Sequence, residues 1–405
     1  MRLRFAARAL KAAAWDAAGR LLQPLHHLVA RRKTRPVPPE PRVLIFGWFG
    51  TETTGDRAIL LECCRILQEA LQRPHFRIAS SVPARTRETA ELLDLELEVV
   101  SPSATGWLDE LRSADLVVVA GGPLMDDGEM LAWWVRLLAA RWLEKPALLL
   151  GLGAHPLNLT GTRRAARACI ALAQRAALRE EPPEALRCAH LRVFTDPALY
   201  GEIPRRRRAP DAGGLRLAAN LRPWPIAFFG GPWREYASTW TRFRREFLQA
   251  IADLLQAGVV GEVVFFPMHE VPPDDDRSLY PEIAAGLPED RVTFVTGLPT
   301  PREVTGLLAG CDAFVGMRFH ANLLAALAGA PGVGVDYDSA GGKISRFYGS
   351  LGCADMAVPL AQVTRGELSS RLQDIRHNWS DWHTRVTSGR DRLRAGRAEL
   401  VEWLR

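Results

Sequence analysis

The sequence predicts an α/β fold of two doubly wound Rossmann-like domains facing across a cleft, and three observations carry the prediction. Its 405 residues exceed the length at which a single core stops growing, so two domains of ordinary size are expected. Short apolar, β-branched runs alternate with longer helical segments, and the alternation restarts after a linker-like stretch at 201–214. Several of these runs lead straight into Gly-rich turns, as ligand loops do at the carboxyl ends of parallel strands.

Composition narrows the class. Apolar residues at 47% and charged residues at 24% are globular values. The net charge of +6 is unevenly placed, because residues 1–40 hold nine Lys and Arg against Asp16 and Glu40. The remaining body is close to neutral, which argues against nucleic acid as a partner. Six cysteines without a Cys-x-x-Cys pair suggest free thiols in a reducing cytosol. No run approaches the 18 or so apolar residues of a spanning helix. Arg8, Lys11, Asp16 and Arg20 interrupt what would be a signal peptide's apolar core, so a cytoplasmic location is expected.

Taken in order, residues 1–40 form a basic arm. Leu3, Leu10, Ala14, Ala17, Leu21, Leu25 and Leu28 recur at helical steps up to about residue 33, and Pro36, Pro38, Pro39 and Pro41 end it as a stiff linker. Residues 1–35 suit either peripheral contact with an anionic membrane or packing on protein. The first domain is expected over 41–200. Val43–Phe46 is its first strand, and Gly47-Trp-Phe-Gly50 opens the loop that leads through Gly55 and Asp56 into a helix over 58–71. A Gly-rich loop rising into a helix suits phosphate or carboxylate, although this one matches neither the P-loop nor the dinucleotide fingerprint. Strands over 76–80, 97–100, 115–120, 147–150, 177–180 and 191–197 follow, with helices over 86–93, 107–112, 130–143 and 163–176 between them. Two more Gly-rich turns sit at strand ends. Gly121 and Gly122 precede Asp126 and Asp127, and Gly151-x-Gly153 precedes His155. Pro156 stands where a third glycine would be, which argues against NAD.

The stretch 201–214, with Arg205–Arg208, reads as a solvated hinge. The second domain is expected over 215–375, followed by a C-terminal helix over 376–405. Its strands are 215–224, 262–267, 292–295, 313–315 and 333–337, and its helices include 234–256, 301–309 and 321–328. Asp274-Asp275-Asp276 reads as an acidic solvated loop, and no metal-ligand set is evident. Arg222, His269, Arg318 and His320 each follow a strand's carboxyl end, where a two-pronged cation and a group titrating near neutrality favour anion binding and proton transfer. Lys343 adds charge near the same edge or lies on the surface.

In this order the landmarks resemble the polysaccharide pyruvyl transferase family: Gly47-Trp-Phe-Gly50 with Gly55-Asp56, Gly121-Gly122 with Asp126, Gly151-Leu-Gly153, Asn220-Leu-Arg222-Pro-Trp224, Pro267-Met-His269 and Arg318-Phe-His320. Together they span roughly 42–352. The sequence departs from the family pattern at Thr53 and Thr54, at Arg57 and at Pro123. The resemblance implies a GT-B-like fold and transfer of a pyruvyl unit from phosphoenolpyruvate to hydroxyls of a saccharide, giving a cyclic ketal and phosphate; the basic arm points to a lipid-linked oligosaccharide as that acceptor. No cofactor and no metal are implied. Under this reading Arg222 and Arg318 clamp the donor, with Lys343 adding charge. His320 leads as the acid, and His269 and Asp56 are further proton-transfer candidates. Gly50, Gly55, Gly121, Gly122 and Gly153 line the substrate loops. Asp56 equally suits a helix cap. Two other readings remain open: a nucleotide-sugar glycosyltransferase using Glu303 or Asp338 for the ribose, and a membrane-associated relative without turnover.

Overall fold

Both sheets of the computed structural model are parallel throughout and wound in one order. The structure describes residues 17–101, 106–122, 129–154, 160–205, 213–224, 232–338 and 342–405. Asp126, Asp127, His155, Arg206–Arg208 and residues 1–16 therefore lie outside the described residues. The first unit takes the chain through Glu52, then Ile59–Pro197 and Gly396–Arg405; the second takes Thr53–Ala58 with Ala198–Ala395.

The first unit contains β1 (Arg42–Phe46), β2 (His75–Ala79), β3 (Leu97–Val100), β4 (Leu116–Ala120), β5 (Ala147–Leu152), β6 (Arg175–Leu178) and β7 (Leu191–Val193). They form one sheet in the order β3-β2-β1-β4-β5-β6-β7. Strands β4 and β5 are buried along their whole length, as continuous Val, Leu and Ala runs require when helices cover both faces. Strand β6 lies two residues before its predicted place, and the helix ahead of it ends at Leu172. The Ala-rich run favours helix by intrinsic propensity, but Arg175–Leu178 pair with Leu148–Leu152 of β5, and tertiary pairing prevails. Residues 17–30 are helical. Val29 is buried in this unit's core, in the cluster that also holds Trp134 and Leu138.

The second unit contains β8 (Leu215–Asn220), β9 (Val260–Phe265), β10 (Val292–Phe294), β11 (Ala313–Gly316), β12 (Gly332–Asp336) and β13 (Ala357–Pro359), in the order β10-β9-β8-β11-β12-β13. Strand β13 was not anticipated. It has three residues, ends in proline and pairs only with β12, a short edge strand with little sequence signal. Strand β8 stops at Asn220 rather than Trp224, which leaves Arg222 in the loop beyond it. The C-terminal region breaks into helices Arg365–His377, Trp379–Arg394 and Arg397–Leu404, the last interruption falling at Ala395-Gly396. Cys63, Cys64, Cys169, Cys311 and Cys353 are buried free thiols, and Cys188 is an exposed one. Among the described residues no helix is long and apolar enough to cross a membrane.

Candidate functional site

In each sheet the strand order reverses once, between β1 and β4 and between β8 and β11, and the crevice outside such a switch point is where open parallel sheets bind ligands. In the second unit Gly316 lies opposite Asn220, so the residues after β8 and β11 leave the sheet at one level. Leu221-Arg222 and Met317-Arg318 follow at once.

Asn220 ties the two exits together. Its side-chain oxygen accepts the Arg318 backbone N–H at 3.1 Å, and its amide donates to the Phe266 carbonyl at 3.0 Å and to Asp276 at 3.3 Å. Arg318 is the N-cap of the helix Phe319–Ala328, so it stands where backbone N–H groups are unsatisfied and the helix dipole is positive. Its guanidinium is held by Asp276, with Nε 3.0 Å from Oδ1, and Nη2 donates to both Asp276 and the Asp274 carbonyl. Nη1 takes part in none of these contacts. Asp276 is 1% exposed and also accepts the Met268 N–H at 2.9 Å.

The expectation of a solvated acidic loop is thus corrected. Asp276 is a buried counter-ion, Asp274 bridges Arg222 at 3.1 Å, and Asp275 caps the short helix Asp276–Leu279 by accepting from Arg277. Three adjacent aspartates are easily solvated in a chain seen as a string. Here β9 delivers them under the exits of β8 and β11, where two arginines compensate the burial.

Arg222 is buried and committed on every arm: Nε to the Pro223 carbonyl at 3.2 Å, Nη1 to the Tyr337 hydroxyl at 3.1 Å and Nη2 to Asp274. It also stacks over the Tyr337 ring at 5.0 Å. Burial pushes the Tyr337 phenol up, but nearby Lys343, Arg222 and Arg318 outweigh it and hold it below its ordinary value. Lys343 begins the helix Lys343–Leu351, with its ammonium 5.8 Å from the Phe319 ring centre. Three cations therefore act on one phenol. Sequence reasoning missed Tyr337, Asp274 and Asp276. Tyr337 follows β12 directly, so the rule that singled out Arg222 and Arg318 would have reached it.

His320 lies one residue into its helix, and Thr53–Ala58 meets it. A Cβ added to Gly55 would overlap the His320 ring at Nδ1 and Cγ and come within 2.8 Å of its Cβ. Gly55 lies inside the first turn of the helix Thr54–Ala70, which starts four residues earlier than predicted. Thr53 and Asp56 start it there. The Thr53 N–H and hydroxyl both donate to Asp56 Oδ2, at 3.2 and 2.7 Å, and the Asp56 N–H returns a bond to the Thr53 hydroxyl at 3.1 Å. Asp56 is therefore a helix cap beside the site. The same helix start is tied down where Thr54 donates from its N–H to the Met268 carbonyl at 3.1 Å and from its hydroxyl to the Pro299 carbonyl at 2.8 Å.

His269 is half-buried, and its Nδ1 accepts the Val271 N–H at 3.2 Å. Desolvation and the Arg318 charge lower its pKa below 6.5 against the opposing pull of Asp276, Asp274 and Asp56. A histidine depressed in the fold stabilises it above the unfolded value and loses that contribution as pH falls through the folded value. Unfolding midpoints in urea are accordingly expected to drop between pH 7 and 5.5, and His269→Gln should flatten part of that slope. An unchanged slope refutes this account.

The first unit's loops are described by themselves. Gly121 and Gly122 leave β4 with φ of +65° and +72°, a left-handed turn that residues with a Cβ rarely adopt. Gly50 has φ +119° and donates its N–H to the buried Glu52 carboxylate at 2.7 Å; the Thr86 hydroxyl donates to the same oxygen. Gly153 follows β5, where a Cβ would meet Glu180 at 2.8 Å. These four glycines have backbone or packing reasons of their own. Glu303, a candidate ribose ligand, completes a capping box with Thr300. Among the described residues no group of three or more His, Cys, Asp or Glu is placed to hold a metal ion.

Two parallel, doubly wound units, the second with cations gathered at its switch point, define a GT-B-like α/β protein. The fold is similar to the UDP-GlcNAc 2-epimerase of Neisseria meningitidis bound to UDP-GlcNAc, with a TM-score of 0.58 and 11% identity over 89% of this chain and 98% of that one. It is also similar to the UDP-GlcNAc 2-epimerase of Methanocaldococcus jannaschii, with a TM-score of 0.56 and 11% identity over 87% and 99% of the two chains. No curated protein sequence matches the chain. The chain belongs to the polysaccharide pyruvyl transferase family, whose description matches residues 54–339, more than half of its length. Family membership supports a transferase that moves pyruvyl groups to polysaccharide.

Proposed function

We propose that the protein transfers the pyruvyl unit of phosphoenolpyruvate to two hydroxyls of one sugar in a lipid-linked glycan, forming a cyclic ketal and releasing inorganic phosphate. The observation that carries this reading is the convergence of Arg222, Arg318 and Lys343 on Tyr337 at the switch point, with His320 two residues on from Arg318. Phosphoenolpyruvate presents phosphate and carboxylate within a few bonds, and closely set cations suit such a ligand.

In the balanced reaction, one hydroxyl oxygen bonds C2 and a proton reaches C3. A second hydroxyl oxygen then bonds C2 as the C2–O bond to phosphate breaks. One hydroxyl proton is accounted for at C3 and the other leaves with phosphate. His320 is assigned the proton to the departing phosphate; His269 and Asp56 are the further proton-transfer groups. Arg318 meets the donor with Nη1, held in place by Asp276. The Arg222–Asp274 pair is the exchangeable one, since the Asp274 side chain is 37% exposed and an arriving anion can take its place; Asp276 is sealed at 0%. Gly50, Gly121, Gly122 and Gly153 shape the loops assigned to the acceptor. No metal or cofactor enters the scheme. A lipid-linked acceptor places the protein on the inner face of the cell membrane as a peripheral protein, with contact through residues 1–35.

Thermal shift with phosphoenolpyruvate against UDP-, GDP- and CMP-sugars tests the donor, and stabilisation by a nucleotide sugar alone would sink the proposal. His320→Ala is expected to reduce phosphate release with a sugar acceptor by about 10²–10⁴-fold, the usual worth of a positioned acid, with Tm unchanged. Normal turnover in that variant refutes the assignment. Arg318→Ala is a poorer test, because it also strands the buried Asp276.

A further inference from the structure

The helix over 17–30 carries leucines on more than one side, and the fold uses only part of them. Val29 is buried with Leu22 and Ala30 packed beside it, and His26 meets Trp134 edge-on at 5.9 Å. Beyond its carboxyl end, Arg141 donates to the Ala30 carbonyl at 3.2 Å, and Arg32 and Arg35 pair with Glu144 at 3.1 and 3.3 Å. The helix is therefore a packed part of the first unit. Even so, Leu21 is 81% exposed, Leu28 64% and Leu25 41%, and Trp142, which ends the helix Glu129–Trp142, is 49% exposed. Clustered apolar side chains left in water mark a surface with a use.

A cavity of about 450 Å³ opens beside them, walled by Leu25, Val29, Val135, Leu138, Trp142 and Leu143 among others, with Arg112 as the charged member of its lining. The volume falls within the roughly 300–1,000 Å³ of small-ligand sites, and the wall suits hydrocarbon. Cations follow the helix on the same stretch of chain. Arg31 and Lys33 are exposed, and the Arg32 guanidinium lies 5.0 Å over the Trp142 ring. Exposed leucines, a half-exposed tryptophan and adjacent Lys and Arg are the groups that together favour the boundary of an anionic bilayer. A protein partner would be expected to bury the leucines without needing the cations or the cavity.

We propose that this face docks on an anionic phospholipid bilayer, with Leu21, Leu25, Leu28 and Trp142 entering the interface and the cavity taking one acyl chain. The inference rests on the reading of a lipid-linked acceptor and goes further in naming the docking residues and what fills the cavity. The test uses the full chain with phosphatidylglycerol vesicles, and phosphatidylcholine vesicles as the neutral comparison. Native protein is expected to co-sediment with the former, and Leu21→Glu/Leu28→Glu, both at exposed positions, to bind at least about 10-fold more weakly. Ala139→Phe, which narrows the cavity, should weaken binding several-fold. Lipids brominated on the acyl chain should quench native fluorescence more than that of Trp142→Phe, a readout that does not depend on the cavity variant folding. Equal vesicle binding by the native protein and the double glutamate variant, absence of binding to phosphatidylglycerol, or quenching unaffected by Trp142→Phe would each overturn the proposal. So would a dimer that the glutamates dissolve without any vesicle binding. Phosphate release from phosphoenolpyruvate with a water-soluble oligosaccharide should be the same in the glutamate variant as in the native protein. That assay fails if the pyruvyl reading is wrong, and the vesicle assay fails if the docking is wrong.

Discussion

Asp276→Ala is expected to destabilise the second unit by about 3–5 kcal/mol, the usual cost of removing one partner of a buried ion pair. The carboxylate is 0% exposed in the pair and holds Arg318, the Asn220 amide and the Met268 N–H together. Without it a guanidinium with a side chain only 12% exposed loses its counter-ion, and two further donors lose an acceptor. The neighbouring Asp274→Ala provides the contrast. Asp274 itself is 37% exposed and makes one contact to Arg222, which is 7% exposed and keeps its bonds to Tyr337 and Pro223, so the loss of this carboxylate should cost less, about 1–2 kcal/mol. Denaturant midpoints of the two variants measure the difference directly. Equal midpoints would show that Asp276 is not the counter-ion its burial makes it. Asn220→Ala should fall between the two, since it removes hydrogen bonds but no charge.

Gly55→Ala is expected to cut the rate of pyruvyl transfer by about 100-fold, because a displacement of about 1 Å at a reacting group is enough for such a loss. The added methyl has no space while His320 keeps its place, since it would overlap the ring at Nδ1 and Cγ. Alanine is a better helix former than glycine, so the helix Thr54–Ala70 itself is not weakened. The penalty falls on His320, which must turn or withdraw. The measurement is kcat with saturating phosphoenolpyruvate, beside Tm. A variant with native kcat would mean that His320 does not act from the position observed. One with lost kcat and a Tm well below native would point to unfolding instead. The comparison with His320→Ala sharpens the result: without the imidazole the overlaps at Nδ1 and Cγ are gone and only the 2.8 Å approach to the Cβ of residue 320 is left, so the methyl at Gly55 should have a smaller further effect than in the native background.

Much of the architecture was legible because parallel sheets write themselves plainly. Strand β4 is Leu-Val-Val-Val-Ala and β5 is Ala-Leu-Leu-Leu-Gly-Leu, runs that have to be buried on both faces, and each leads into glycines that only a turn explains. The helix Phe319–Ala328 announced itself by its Ala and Leu content and by Gly329, which closes it with φ +72°. Those local signals also located Arg222, Arg318 and His320, since a side chain just past a parallel strand has a known edge to occupy. Where local signals were weak, the reading slipped. The start of β6 hid in an alanine run, and β13 was too short to register.

What the sequence by itself determined is the alternation of strand and helix, and with it which cations stand at the carboxyl edge. What only the tertiary structure decided is their company. Asp276 is far from Arg318 along the chain, and nothing in Asp-Asp-Asp distinguishes a buried counter-ion from a solvated loop until β9 and β11 are placed in one sheet. Gly55 is farther still from His320, and its missing side chain has meaning only against the ring that fills the space. The physical reason is the same in both cases. Propensity and periodicity act between neighbours in sequence, whereas the burial of a charge and the exclusion of a methyl group act between neighbours in space.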